Sequence, residues 1–272
     1  MSPRMRTLSI ALGALSLVAS ACVLAVTQSS SAAPAKHRPG AEASASAPRA
    51  PAPPPADPAI AARADYADHR GELETSRKAL AKRLASAKGD PARDSVMASA
   101  RTTLLDALKA DLFPAWIGTA WDFNGTSQKP GEGKIACGYF VTTVLLHAGF
   151  RVERAKLAQQ ASENIVKTLV GAHEIWRFRE GDADAVIAKV DELGQGLYVV
   201  GLDNHVGFLV ERNGESTRFC HASYLEPVTV QCEVARDAAA FASTYHVVGR
   251  VTNDATLTHW LEGDTFKTVA PR

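Results

Sequence analysis

Cys137 is the residue of this chain with the clearest potential for chemistry, because it opens a segment that predicts one helix ending near Gly149. Chain-breaking residues precede it at Pro130, Gly131 and Gly133, and apolar residues share one helical face at Val141, Val144, Leu145 and Ala148. A helix N-terminus favours a thiolate, and together with a cationic neighbour it can lower the pKa of cysteine from about 8.5 by roughly one to five units. The pattern predicts Cys137 as a nucleophile, with a small buried core cysteine as the alternative.

Two histidines lie on predicted strands further along the chain. After a strand over Gly196 to Gly201, a second runs from His205 to Val210, and a third, Thr217 to Ser223, contains His221. Because side chains alternate along a strand, the two imidazoles can face the same side of neighbouring strands. A nucleophilic thiol needs a base that takes and returns its proton, and the base needs a polar group that fixes its tautomer. Cys137, His205 and His221 can supply these groups.

These motifs resemble, in type and order, those of the NlpC-type branch of the papain-like cysteine peptidases, bacterial cell-wall enzymes that cut peptide or amide bonds in peptidoglycan stem peptides. They are Ala136-Cys137-Gly138-Tyr139-Phe140, His205-Val206-Gly207-Phe208-Leu209 and His221-Ala222-Ser223. The family has Asp-Cys-Ser-Gly-Phe, His-Val-Gly-Ile-Tyr and His-Ala-Ser at these places. The resemblance covers roughly residues 113–250. It implies a papain-like fold with Cys137 as nucleophile, His205 as base and His221 as the orienting group.

The cysteine motif departs from the family's pattern. Ala136 stands where the family has Asp, and Gly138-Tyr139 replaces Ser-Gly. The entry turn and the substrate are therefore expected to differ from those of typical members, and Tyr139 becomes a candidate substrate contact.

The segment upstream of the cysteine also departs, because the family's oxyanion-binding tyrosine has no counterpart near Trp121. The indole N–H of Trp121 and the amide of Asn124 are candidate oxyanion donors, and Asp122 is a third candidate to replace the tyrosine. The backbone N–H of Cys137 is the donor that needs no such replacement.

Three of the four cysteines belong to the predicted folded part. Cys220 points to the opposite face of its strand from His221, and Cys232 lies in the predicted next strand, residues 228–234. In an oxidising compartment these two predict a disulfide worth about 3 kcal/mol, which leaves Cys137 free. Two buried free thiols are the alternative. The spacing lacks the pairs typical of zinc ligands, so no metal site is predicted. No cofactor is expected.

The N-terminus predicts export. Arg4 and Arg6 precede an uncharged run from Leu8 to Val26. Residues 1–27 are expected to form a cleaved signal, an uncleaved membrane anchor or a lipoprotein signal, since Ala19-Ser20-Ala21-Cys22 resembles a cleavage box that would leave Cys22 lipidated. All three alternatives place the remaining chain in the bacterial cell envelope.

A linker and a helical segment follow. Residues 28–58 are rich in Ala, Pro and Ser and predict a disordered linker. Residues 59–112 predict two helices separated at Gly89, with Asp90 as N-cap of the second. Their apolar residues recur at helical spacing: Tyr66, Leu73, Leu80 and Leu84, then Met97, Leu104, Leu105, Leu108 and Leu112. This narrow stripe favours helices packed on the domain behind them over a separate partner-binding module.

Residues 113–272 predict one catalytic domain of the α+β class, with helices first and an antiparallel sheet after them. Three further helices are expected, over Arg154–Val170, Asp182–Leu193 and Ala238–Thr244, and Ala161 is expected to face inward on the first of them. A strand is expected over Tyr245–Thr252. After it, Asn253-Asp254 is expected to cap a short helix that carries Trp260.

Composition restricts the partners. The chain has 30 basic and 29 acidic residues, a net charge of +1, so charge favours neither nucleic acid nor an anionic membrane surface. We expect a monomer that acts on a peptide or peptidoglycan-like substrate and touches the membrane only through its N-terminus. Three functions remain open: a thiol hydrolase of a peptide or amide bond, a catalytically inactive binding module on the same scaffold, and a structural envelope lipoprotein.

Overall fold

The computed structural model describes residues 57–171 and 174–269. The predicted export segment with Cys22, and the linker up to residue 56, lie outside the described residues. The helices are α1 (Pro58–Ala64), α2 (Tyr66–Ser86), α3 (Asp90–Ala107), α4 (Phe113–Trp116), α5 (Cys137–His147), α6 (Arg154–Ala158), α7 (Ser162–Leu169), α8 (Ala183–Leu193) and α9 (Asp254–Glu262). The strands are β1 (Ala120–Trp121), β2 (Lys134–Ile135), β3 (Arg151–Val152), β4 (Ile175–Arg179), β5 (Gly196–Leu202), β6 (Val206–Glu211), β7 (Arg218–Ala222), β8 (Val230–Val234), β9 (Tyr245–Arg250) and β10 (Thr265–Phe266).

The two predicted N-terminal helices are present as α2 and α3, and α3 continues as a π-helical turn over Leu108–Leu112. All nine apolar residues that define the predicted stripes are buried. The predicted N-cap is wrong by one residue. Gly89 is the N-cap, with φ at 77°, and Asp90 is the first helical residue and makes no capping bond with its side chain.

The helical segment packs on the domain that follows it, as predicted. The hydroxyl of Tyr66 accepts from the indole N–H of Trp116 at 2.8 Å and lies 3.0 Å from Nδ1 of His147. The buried guanidinium of Arg77 donates to the carbonyls of Trp260 and Leu261 at 2.8 and 2.9 Å. Residues of α2 and α3 belong to the same apolar core as those of α5 and the sheet.

The main sheet is antiparallel, with strand order β4-β9-β5-β6-β7-β8. Every residue of its inner strand β5 is buried, because both faces of the sheet are covered. Leu197 and Val199 pack into the core that contains α5 and α7, whereas Tyr198 and Val200 pack against α8. The chain is thus a mixed helix and antiparallel-sheet protein, which agrees with the predicted α+β class.

Two predicted helices are wrong. Arg154–Val170 is divided into α6 and α7 by extended backbone at Ala161, whose side chain is exposed instead of inward. The break lets α6 pack on α5 while α7 packs on β5 and β9. In place of a helix over Ala238–Thr244 there are 3-10 turns at Ala235–Asp237 and Ala239–Phe241.

Strand β4 is absent from the sequence-based predictions. It is an edge strand whose side chains are at most half-buried, so it lacks the long apolar run that marks β5. Among the described helices, none is both long and apolar enough to cross a membrane.

Candidate active site

Cys137 is the first residue of α5, as the sequence predicts. Its thiol is half-buried and is the free cysteine of the described residues. The backbone N–H groups of Gly138 and Val206 bond to the sulfur and act to lower the pKa of the thiol, but burial outweighs them and raises it. The expected depression of the pKa is therefore wrong in direction, because the cost of burying the thiolate exceeds the stabilisation that the helix N-terminus provides.

His205 and His221 are in contact, as predicted from strand alternation. His205 directly precedes β6 and is 2% exposed, and its Nε2 atom lies 2.9 Å from Nδ1 of His221 in β7. Burial, followed by the charge of His221, lowers the pKa of His205 to about 3. Burial alone lowers the pKa of His221 to about 4, so both imidazoles are neutral at pH 7. The other ring nitrogen of His205, Nδ1, is buried without a hydrogen-bond partner among the described residues.

Gly207 makes the contact between the histidines possible. It lies on β6 opposite β7, where a Cβ atom would stand 2.9 Å from Cβ of His221 and 2.5 Å from the ring of Phe219. The ring of Phe219 stacks on that of His221, with centroids 4.2 Å apart, and holds it in place. A glycine at this position therefore leaves room for the His221 ring to lie beside His205.

A fourth polar residue, Glu233 on β8, was not predicted. Its Oε1 atom lies 3.0 Å from Nε2 of His221. In the β7–β8 register Cys220 pairs with Cys232, which places His221 and Glu233 diagonally on the same face. The predicted disulfide combined with strand alternation contained this information, because a Cys220–Cys232 pair fixes the same register.

The disulfide between Cys220 and Cys232 is present, with the two Cα atoms 4.0 Å apart. Cys220 packs into the core on the α5 side of the sheet, on the opposite face from His221. The bridge therefore joins β7 to the edge strand β8 without entering the histidine cluster, which consists of His205, His221 and Glu233. The described residues contain no group of three His, Cys, Asp or Glu side chains that could hold a metal ion.

Cys137 and His205 line the same cleft, which has a volume of about 250 Å³. One wall is the break between α6 and α7, and the other is the end of β5 with the loop to β6. The lining residues are Cys137, Gly138, Ala158, Gln160, Ala161, Ser162, Ile165, Leu202, Asp203, Asn204, His205 and Val206. An apolar cavity of about 300 Å³ beside α4 and β6–β8 contains neither Cys137 nor His205, so the smaller cleft is the site where their chemistry can act.

The loop that presents His205 is held by Asp203. Its Oδ2 atom accepts from the side chain of Ser243 at 2.7 Å and from the amide and hydroxyl of Thr244 at 2.8 Å each. These bonds lower the pKa of Asp203 to about 2, and the bond from Ser243 has the largest effect. The turn before His205 is thereby fixed to the beginning of β9.

Trp121 lies beside the histidine cluster. Its ring centroid is 6.2 Å from that of Tyr224, which in turn packs edge-on against His205 at 5.2 Å. Trp121 also pairs with Ile135, two residues before Cys137. Its Nε1 atom is buried without a hydrogen-bond partner among the described residues, and Trp121 itself does not line the cleft. Tyr224 was not predicted as a site residue.

The other predicted candidates have different contacts. Asn124 is exposed, and its backbone N–H donates to Asp122 at 2.9 Å. Tyr139 accepts from the side chain of Gln159 at 3.0 Å and does not line the cleft, while the guanidinium of Arg154 lies 4.9 Å from its ring centroid.

No family model matches the chain, and no curated protein or solved structure matches it either. The resemblance to the NlpC-type peptidases thus rests on the three short motifs.

Proposed function

We propose that this protein is a thiol-dependent hydrolase of a peptide or amide bond, a divergent member of the NlpC-type papain-like cysteine peptidases, with a papain-like fold. The observation that carries the proposal is the orientation of His205. Its Nε2 atom is engaged by His221 at 2.9 Å, while Nδ1 is left without a partner among the described residues, in a side chain that shares a cleft with Cys137. A general base needs one nitrogen anchored and the other free and within reach of the proton that it takes; no hydrogen bond joins the thiol of Cys137 to Nδ1 of His205 among the described residues, so on this proposal that bond forms when substrate binds.

The first step follows from the protonation states. Thiol and imidazole both start neutral, because burial raises the pKa of Cys137 and lowers that of His205. As the sulfur bonds to the carbonyl carbon, the thiol proton passes to Nδ1 of His205. The imidazolium then gives that proton to the leaving nitrogen as the C–N bond breaks, which leaves a thioester on Cys137. Water attacks the thioester with His205 again as base, and the acid product and free thiol result.

The negative charge that develops on the carbonyl oxygen needs donors. The backbone N–H of Cys137 at the start of α5 is the first donor, and the indole N–H of Trp121, without a partner among the described residues, is the second. Trp121 would thus take the place of the upstream tyrosine in the family.

Peptidoglycan stem peptides are the proposed substrate class and the bacterial cell envelope the proposed location, by resemblance to the family and from the export pattern of residues 1–27. The disulfide agrees with an oxidising compartment.

The test uses purified peptidoglycan digested with wild type and with Cys137→Ala, followed by mass analysis of the released muropeptides. We expect cleavage by wild type alone, because alanine has no nucleophile. Cys220 and Cys232 cannot replace the missing thiol, since they are bonded to each other. Equal cleavage by the two proteins would refute the assignment of Cys137.

A binding module on the same scaffold is the second candidate. It is favoured by the raised pKa of Cys137, because a resting thiol reacts more slowly than a thiolate. On this alternative, wild type and Cys137→Ala bind peptidoglycan equally well in a pull-down, and neither releases muropeptides.

A further inference from the structure

A hydrogen-bonded path leads from the edge of the sheet to the cleft. Glu233 Oε1 lies 3.0 Å from Nε2 of His221, and Nδ1 of His221 lies 2.9 Å from Nε2 of His205. The path ends at Nδ1 of His205, which has no partner among the described residues. His221 is fully buried, whereas the Glu233 side chain is 34% exposed, so the carboxylate is the member of the path that solvent reaches.

We propose that Glu233 is a positioning residue of the reaction, whose ionised carboxylate sets the proton order along both histidines so that the free nitrogen of His205 is a proton acceptor. This inference rests on the proposed roles of Cys137 and His205.

The proton order follows from donor and acceptor counting. An ionised carboxylate only accepts, so Nε2 of His221 carries its proton and Nδ1 of His221 is an acceptor. Nε2 of His205 must then carry the proton of that ring, which leaves Nδ1 of His205 with a lone pair for the thiol proton. A protonated Glu233 can donate instead, and every bond in the path can reverse. Nδ1 of His205 would then carry a proton and could not act as base.

The same carboxylate also favours the charged intermediate. When Nδ1 of His205 takes the thiol proton, the imidazolium keeps its Nε2–H bond to His221, and His221 keeps its bond to Glu233. No proton needs to move along the path. The negative charge of Glu233 polarises His221 toward the imidazolium, as a carboxylate does in a Cys or Ser triad.

Two other charged groups act on Glu233. Burial raises its pKa, Arg218 on β7 lowers it, and Asp237 after β8 raises it, with a net increase above 4.5. The proposal therefore predicts that base function is lost toward acid pH as Glu233 takes up a proton.

The experiment follows alkylation of Cys137 by iodoacetamide between pH 4 and 9, by peptide mass spectrometry, in wild type, Glu233→Leu and Glu233→Gln. This probe needs no knowledge of the substrate. We expect Glu233→Leu to slow alkylation at pH 7 on the order of 10- to 100-fold, a part of the roughly 10²- to 10⁴-fold that a positioned general base contributes. Glu233→Gln keeps an acceptor oxygen but cannot ionise, so it should retain more of the rate, and its rate should fall toward acid pH only through the thiol, without the additional step that the titration of Glu233 gives wild type.

Gln231→Ala is the matched control, since Gln231 lies on the same face of β8 but donates to the carbonyl of Pro227. It should alkylate like wild type. If both Glu233 variants are alkylated at the wild-type rate and with the wild-type pH profile, the inference is overturned. This holds even when Cys137→Ala abolishes muropeptide release and the proposed function stands. If Cys137→Ala still cleaves peptidoglycan, the proposed function fails, whereas a Glu233-dependent profile in the alkylation experiment would stand on its own.

Discussion

Gly207 on β6 faces His221 on β7 so closely that a Cβ atom at position 207 would lie 2.9 Å from Cβ of His221. Gly207→Ala must therefore push β7 away or turn the His221 ring out of line with His205. We expect a loss of about 1–3 kcal/mol in the free energy of unfolding, the usual cost of overpacking a core, measured by urea denaturation. Muropeptide release should fall in parallel.

Gly71→Ala provides the contrast, because nothing lies within 4 Å of a Cβ at that position of α2. It should raise stability by about 0.5–1 kcal/mol through the lower backbone entropy of alanine in the unfolded chain. If Gly207→Ala behaved in the same way, the close approach between β6 and β7 would be refuted.

Trp121→Phe removes the indole N–H but keeps an aromatic ring beside Tyr224. We expect kcat of muropeptide release to fall on the order of a hundredfold, because one oxyanion donor is lost, while KM and thermal stability change little. Trp176→Phe on the edge strand β4 is the matched substitution and should leave kcat unchanged. An unchanged kcat in Trp121→Phe would remove the indole from the oxyanion site.

His147 should make stability depend on pH. Burial, followed by Arg70 and Arg154, lowers its pKa from 6.5 to about 4. Between these values the unfolded chain binds a proton that the folded protein does not, so stability falls as pH decreases from 6.5 toward 4. Through this one residue, the free energy of unfolding should fall on the order of 3 kcal/mol over that pH range.

His147→Asn keeps an acceptor for Tyr66 and should weaken the loss of stability on acidification, measured by urea denaturation at pH 7 and about pH 4.5, inside the range in which His147 titrates. His259→Asn removes an exposed histidine and should leave the loss as in wild type. The same acid destabilisation in wild type and His147→Asn would show that His147 does not contribute.

The disulfide should add stability without being needed for the site. In the double variant Cys220→Ala with Cys232→Ala, we expect the free energy of unfolding to fall by about 3 kcal/mol, since the bridge joins residues 12 positions apart. Strand β8 retains its ladder with β7, and backbone bonds from Gly118 and Trp121 reach Val230 and Val228. Muropeptide release at room temperature should therefore persist, and its complete loss would show that the bridge holds the histidine cluster together.

Wild type treated with a phosphine reductant offers an independent check on the same bridge. Its unfolding midpoint should approach that of the double variant, and the reductant should leave the midpoint of the double variant unchanged.

Local pattern was sufficient for much of this protein. The helix that begins at Cys137, the strand that carries His221 and the buried stripes of α2 and α3 follow from apolar periodicity and chain-breaking residues, which act over a few positions. Alternation along two neighbouring strands was enough to bring His205 and His221 together, and to send Cys220 to the other face.

Only the tertiary structure decided the rest, because burial and long-range pairing are properties of the whole chain. The pKa of Cys137 rises since the surrounding core excludes water, which a helix start in the sequence does not reveal. The break between α6 and α7 lets the two helices pack on different partners, and Trp121 meets Tyr224 from a distant part of the chain. Residue types and periodicity thus determined which groups can react, whereas the three-dimensional packing decided which of them meet and in what state of protonation.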